Sequence, residues 1–262
     1  MSTSTSVVTS LSAVDVLKLP SADIARLNTA QIVALDATTI SKLSAAQIGG
    51  LTTVQVPLLS TAQLPGLGLA NTKGLSSAAV RVLTTAQLDA LSSAAIRGLV
   101  ASQLAQLDSS QFVALQTDDM QALSAVQLAG ISSSQVSYFA TQQLAALSSA
   151  GLKGLSTGAM AAMRSSQLSA LATGAIKGLS VGQLGVLSSL QVAGLQSAQI
   201  DALLSAQLKG FTSTVLGAFT TAQIQALSTA NVKGLSAAQL AGLNTSQLAA
   251  LDTQDFVQLS SA

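Results

Sequence analysis

No histidine, cysteine, glutamate or tryptophan occurs anywhere in the 262 residues. Lacking cysteine, the chain has neither a disulfide nor a thiol nucleophile. Lacking histidine, it has no imidazole base at neutral pH, and the two absences together remove the usual zinc ligands. Charged residues make up 8%, Lys+Arg 11 against Asp+Glu 10, which excludes a polyanion and a general nucleic-acid binder. Aromatics, at 2%, do not interleave with the basic residues as base stacking requires. The composition is 49% hydrophobic, yet polar residues recur so often that no run of about 18 apolar residues is available for membrane insertion. Residues 1–11 lack the basic and apolar regions of a cleaved signal peptide and read as a short polar lead-in.

What the chain does contain is one motif, copied. Leu83-Thr84-Thr85-Ala86-Gln87-Leu88-Asp89-Ala90-Leu91 shows it: a leucine, then an octad of Ser/Thr, small, small, Gln, Leu/Ile/Val, variable, Ala/Gly, Leu. From Ser12 the frame runs to Leu259 as 31 octads without an insertion or deletion. The eighth slot is Leu in 26 octads and otherwise Ile131, Phe139, Met163, Phe211 or Phe219, and the fifth slot is apolar everywhere except Thr72. An unbroken repeat has no natural internal boundary, so residues 12–259 are expected to form a single array. Residues 260–262 read as the opening of another octad, the mark of a longer array or of an end left open for stacking.

The period excludes long elements. In a continuous α-helix eight residues advance about 800°, so the leucine stripe drifts by about 80° per octad and no seam forms. In a strand the two apolar slots, three and five residues apart, point to opposite faces. The chain must turn once per octad. Ser, Thr, Asn or Asp fills the first slot in 22 octads and Gln the fourth in 18, which is the capping box, with the flanking apolar residues placed as a hydrophobic staple. Where the first slot departs, as at Ala140, Arg164, Ala172 and Gln196, a following Ser or Thr is expected to cap one residue later. Gly at the seventh slot is expected to let the chain leave the helix. Helices this short are marginal alone and need a shared interior. The expected fold is therefore all-α: a superhelical solenoid of very short helices, one per octad, with a Leu-filled interior. A β-helix with octad corners is the rival, disfavoured by the Ala, Gln and Leu content. Residues 57–72 are the least regular, with Pro57 and Pro65 in sixth slots, and single turns or 3₁₀ turns are expected there.

A second period lies inside the first. Octads such as Gly151-Leu152-Lys153-Gly154 and Ala175-Ile176-Lys177-Gly178 lose the Gln and carry a basic residue before Gly. With related octads they fall on one series whose mean interval is about 26.7 residues, or 3⅓ octads, which predicts about 3.3 repeats per superhelical turn. Nine or ten turns at about 8–10 Å each make a rod about 80–100 Å long. The series holds Lys18, Lys42, Lys73, Arg97, Lys153, Lys177, Lys209 and Lys233. Of these, Lys73, Arg97, Lys153, Lys177, Lys209 and Lys233 are the candidate contacts to an anionic polysaccharide, a cell surface or another protomer. The plainer reading is that they solvate the side where glycine brings backbones together, or pair with a neighbouring Asp. Asp118 and Asp119 suggest a cation site only weakly, since no further carboxylates join them.

Catalysis by a serine needs a partner base and an oxyanion site, and most serines here serve as caps or sit beside them. The inventory therefore points away from an enzyme and implies no cofactor.

The motif, plain in Leu235-Ser236-Ala237-Ala238-Gln239-Leu240-Ala241-Gly242-Leu243, resembles the octapeptide tracts of very large exported bacterial proteins of the haemagglutinin, haem-utilisation or adhesion type. With another apolar residue allowed for the closing Leu, the likeness covers residues 11–259. It implies export, an extracellular or cell-surface location and a spacer or fibre role, and it carries no catalytic or binding residues. Together these readings predict a structural rod, acting as a stalk or assembling end to end with itself.

Overall fold

The octad chemistry acts as its spacing predicts. In a computed structural model, which describes residues 13–259, Thr84 caps the helix Thr85–Ala90. Its hydroxyl accepts the Gln87 backbone N–H at 3.1 Å, and the Gln87 side-chain oxygen accepts the Thr84 N–H at 2.9 Å. Leu91 is then extended, at φ −70° and ψ 140°, and delivers the chain to the next cap at Ser92. Among the described residues this unit recurs as 28 α-helices of four to seven residues plus three 3₁₀ turns, with no strand, which disposes of the β-helix. The lead-in at 1–11 and the partial octad at 260–262 lie outside the described residues. No helix among the described residues is long and apolar enough to cross a membrane.

Two local expectations need correction. At Ala140, Arg164 and Gln196 the cap does not slip to the following Ser or Thr. The first-slot residue stays at the N-cap, and the fourth-slot Gln alone holds its N–H, at 2.9 Å in each case. Slipping by one residue would carry both apolar slots out of the core, which costs more than the missing hydroxyl. Nor does glycine provide the exit from the helix, because no described residue has a positive φ. Each short helix ends through residues of ordinary right-handed or extended backbone, and the seventh-slot glycines have another purpose.

The irregular stretch is as expected: Val56–Leu58, Leu64–Gly66 and Thr72–Gly74 are 3₁₀ turns. Pro57 and Pro65 lack the N–H that would bond back to the second slot and continue an α-turn. Thr72 fits a core slot because its hydroxyl donates to the Gly68 carbonyl at 2.7 Å.

The chain divides into two compact units between Leu123 and Ser124. Each is built the same way, as a superhelical solenoid. In the first, Thr85–Ala90 packs on Ser109–Ala114, and in the second Ser133–Val136 packs on Thr157–Ala162, three octads apart in both cases. Side-chain hydrogen bonds reach four octads back, as the next section describes. One turn thus takes between three and four octads, in line with the 3⅓ of the second sequence period. The fifth and eighth slots fill the interior, from Val16 to Leu235, each contributing about 1.5–3 kcal/mol on burial. Phe211 and Phe219 meet edge to face there, with ring centroids 5.4 Å apart.

Candidate functional site

Each turn is tied to the one before it through the fourth-slot glutamine. Gln87 is buried, and while its oxygen holds the cap, its Nε2 donates to the carbonyls of Val56 at 2.9 Å and Leu59 at 2.7 Å. These acceptors occupy the fifth and eighth slots of the octad four earlier. The second unit repeats the pattern: Gln183 reaches Leu152 at 2.8 Å and Leu155 at 2.7 Å, and Gln199 reaches Leu168 at 2.9 Å and Leu171 at 2.7 Å. The eighth-slot carbonyl, pointing inward just before a cap, has no helical N–H to accept, and the glutamine satisfies it. The sequence pattern foresaw the cap half of this side chain and missed the ladder half. The overlooked signal is the missing glutamate. A capping box accepts Glu or Gln equally, but only the amide can accept on one side and donate twice on the other.

The seventh-slot glycines mark where turns come closest. A Cβ on Gly154 would lie 1.9 Å from the Ala125 carbonyl oxygen, and one on Gly178 2.0 Å from that of Ser149. In both cases the contact is 29 residues back, one turn away. The basic residues stand directly beside these approaches. Lys73, Arg97, Lys153, Lys177, Lys209 and Lys233 all occupy sixth slots and all are exposed. They are not brought into one cluster. The helices Ser149–Leu152 and Thr173–Ile176 pack together, so the Lys153 and Lys177 slots fall on successive turns, and Asp201 takes the same slot on the next. Lys177 and Asp201 line one shallow surface groove. Lys209 and Lys233 line another, of about 670 Å³, together with Thr212, Ser213, Ser236 and Gln239. In the first unit Lys73 and Arg97 are related the same way, through the packed turns Thr72–Gly74 and Ser93–Gly98.

The acidic residues separate rather than converge. Asp118 is exposed, whereas Asp119 is buried in the ladder slot with its Oδ2 accepting the Gln116 N–H at 2.9 Å. Among the described residues no group of three candidate ligands could hold a metal ion. Asp255, also in a ladder slot, accepts the Asp252 N–H at 3.1 Å through Oδ2, and its Oδ1 is buried with no partner. A glutamine there would direct its amide at the preceding turn. Asp36, as an N-cap, has its pKa lowered from the ordinary carboxylate value, chiefly because it accepts the Thr39 amide.

The sequence model of a family described as ALTTAQ repeat matches residues 16–53, 112–149 and 192–229. All three segments begin at a fifth slot of the octad frame, although together they span less than half of the chain. The six letters of that description stand, with one change, as Ala218-Phe219-Thr220-Thr221-Ala222-Gln223. This is a tandem-repeat protein. Among curated proteins, none matches the chain. The repeat protein's frame is thus recognised independently of the capping argument, and in the same register.

Proposed function

We propose that this repeat protein is structural: a rigid rod that acts as a stalk or spacer, or elongates by end-to-end contact into a filament. The observation that carries this reading is the glutamine ladder. The buried polar side chains that repeat along each unit are consumed in holding one turn to the next, and no octad carries a chemically distinct group set apart for a substrate. The octad frame passes Leu123 and Ser124 without a break, which supports one array across both units. Small-angle scattering tests the shape. A rod of about 80–100 Å has a radius of gyration well above the about 18 Å of a globular chain of this length. A globular value would end the proposal, and sedimentation at rising concentration separates single rods from filaments. Display at a cell surface is supported by the resemblance to exported octad tracts, and protease accessibility on intact cells tests it. The inventory without His, Cys or Glu supports a non-catalytic role.

The groove shared by Lys209 and Lys233 favours a second reading, in which paired basic residues hold an anionic polymer or surface. That reading expects salt-dependent retention on an acidic polysaccharide, lost when Lys153, Lys177, Lys209 and Lys233 are all changed to Ala. Retention that survives the fourfold change rules it out.

A further inference from the structure

We propose that the last described turn is a docking ledge for a foreign segment of Ser/Thr-x-x-Gln-Leu octads, which binds by adding rungs to the glutamine ladder. Two independent observations mark the ledge. First, fifth-slot residues are buried from Val16 to Val232, but Leu240 is half-buried, Leu248 is 36% exposed and Phe256 48% exposed. The same slot that is sealed in every earlier turn is open here. Second, the eighth-slot carbonyls of Leu235, Leu243 and Leu251 stand where the ladder's acceptors stand. No glutamine of the chain lies 28 residues beyond any of them, and among the described residues no side chain donates to them. An apolar surface studded with unpaired carbonyls at octad spacing is poorly matched to a generic hydrophobic helix, which has no side-chain amides to offer. It is matched to a segment with an apolar residue after each glutamine, because that pairing already builds the turn-to-turn interface of both units.

The occupant is not the head of a second copy. The first ladder slots of this chain hold Asp15 and Asp23, whose carboxylates bring acceptors where donors are required. Residues 180–211 show what does fit: four consecutive octads carrying Gln183, Gln191, Gln199 and Gln207. The partner is therefore a chain, or part of one, that presents such octads with their amides uncommitted.

This inference rests on the structural reading above, and scattering from the chain alone tests that reading separately. The ledge is tested by fluorescence anisotropy, using a labelled synthetic peptide of residues 180–211 and the full chain. Saturable binding is expected, weakened by about tenfold or more when the four glutamines of the peptide are changed to glutamate. Leu248→Lys in the full chain should abolish binding, while Val126→Lys, at a side chain 75% exposed elsewhere, should leave it intact. Equal binding of the glutamate peptide, or binding indifferent to Leu248→Lys, overturns the proposal. So does a rod-shaped chain that ignores the peptide, or one that dimerises through Leu248 and is not displaced by it.

Discussion

Residues 52–75 and residues 180–211 are each a run of octads, and they differ in nearly everything local. The first contains two prolines, replaces a cap with Gly68, places Thr72 in the core and forms only 3₁₀ turns. The second keeps four glutamines and forms α-helices throughout. Yet the same slots are buried, and the ladder has the same offsets. Gln55 donates to Ile24 and Leu27, and Gln63 to Ile32 and Leu35, 31 and 28 residues back, just as Gln199 does to Leu168 and Leu171. Even Asn71, one methylene shorter, reaches the Ile40 carbonyl at 3.0 Å. Helix type is therefore the adjustable part of this fold. The two apolar slots and the inter-turn amide are the fixed part.

If that is right, the largest losses should come from the ladder, equally in both regions. Gln63→Glu and Gln199→Glu each turn two donated hydrogen bonds into a buried carboxylate facing carbonyls, at a cost of about 3 kcal/mol or more. Urea unfolding measures it, and a mild effect at either site would mean the amide is not what holds the turns. Next come the close approaches. Gly66→Ala and Gly178→Ala would set a Cβ 2.4 Å and 2.0 Å from backbone oxygens one turn away, and overpacking of this kind costs about 1–3 kcal/mol. Gly68→Ala and Gly174→Ala, with nothing within 4 Å, are the internal controls and should be neutral or slightly stabilising.

Completing the ladder should raise stability. Asp255→Gln replaces the partnerless Oδ1 with an amide aimed at the preceding turn, for a gain of about 1 kcal/mol. Hydrogen exchange in Thr253–Leu259 should slow, and unchanged exchange would show that no rung forms. The smallest effect should divide the two regions. The Ser188 hydroxyl accepts the Gln191 N–H at 3.3 Å, so Ser188→Ala should cost about 1 kcal/mol. The Ser60 hydroxyl only donates to the Gln63 side chain, and Ser60→Ala should cost about half that or less. Equal costs would mean the 3₁₀ octads are capped like the rest.

Much of the fold was legible one octad at a time. Thr84 and Gln87 announce their cap, and Pro57 and Pro65 announce the weak helices, because the forces involved act within four residues. The length of a turn was legible too, since only Gly tolerates the approach seen at Gly154 and Gly178 and the pinch recurs with the superhelix. The candidate surface was less so. The sixth-slot lysines were countable, but that Lys177 meets Asp201 across a groove while Lys209 meets Lys233 depends on which octads the turn stacks.

The sequence by itself determined what is local: where each helix starts, which two residues face inward, and that the helices must share a core. Only the tertiary structure decided which carbonyls the glutamine amides meet, because those partners lie about thirty residues away and come within reach only after a full superhelical turn has closed. The same closure decided that the glycines serve contact rather than conformation. No pattern within a single octad contains that information.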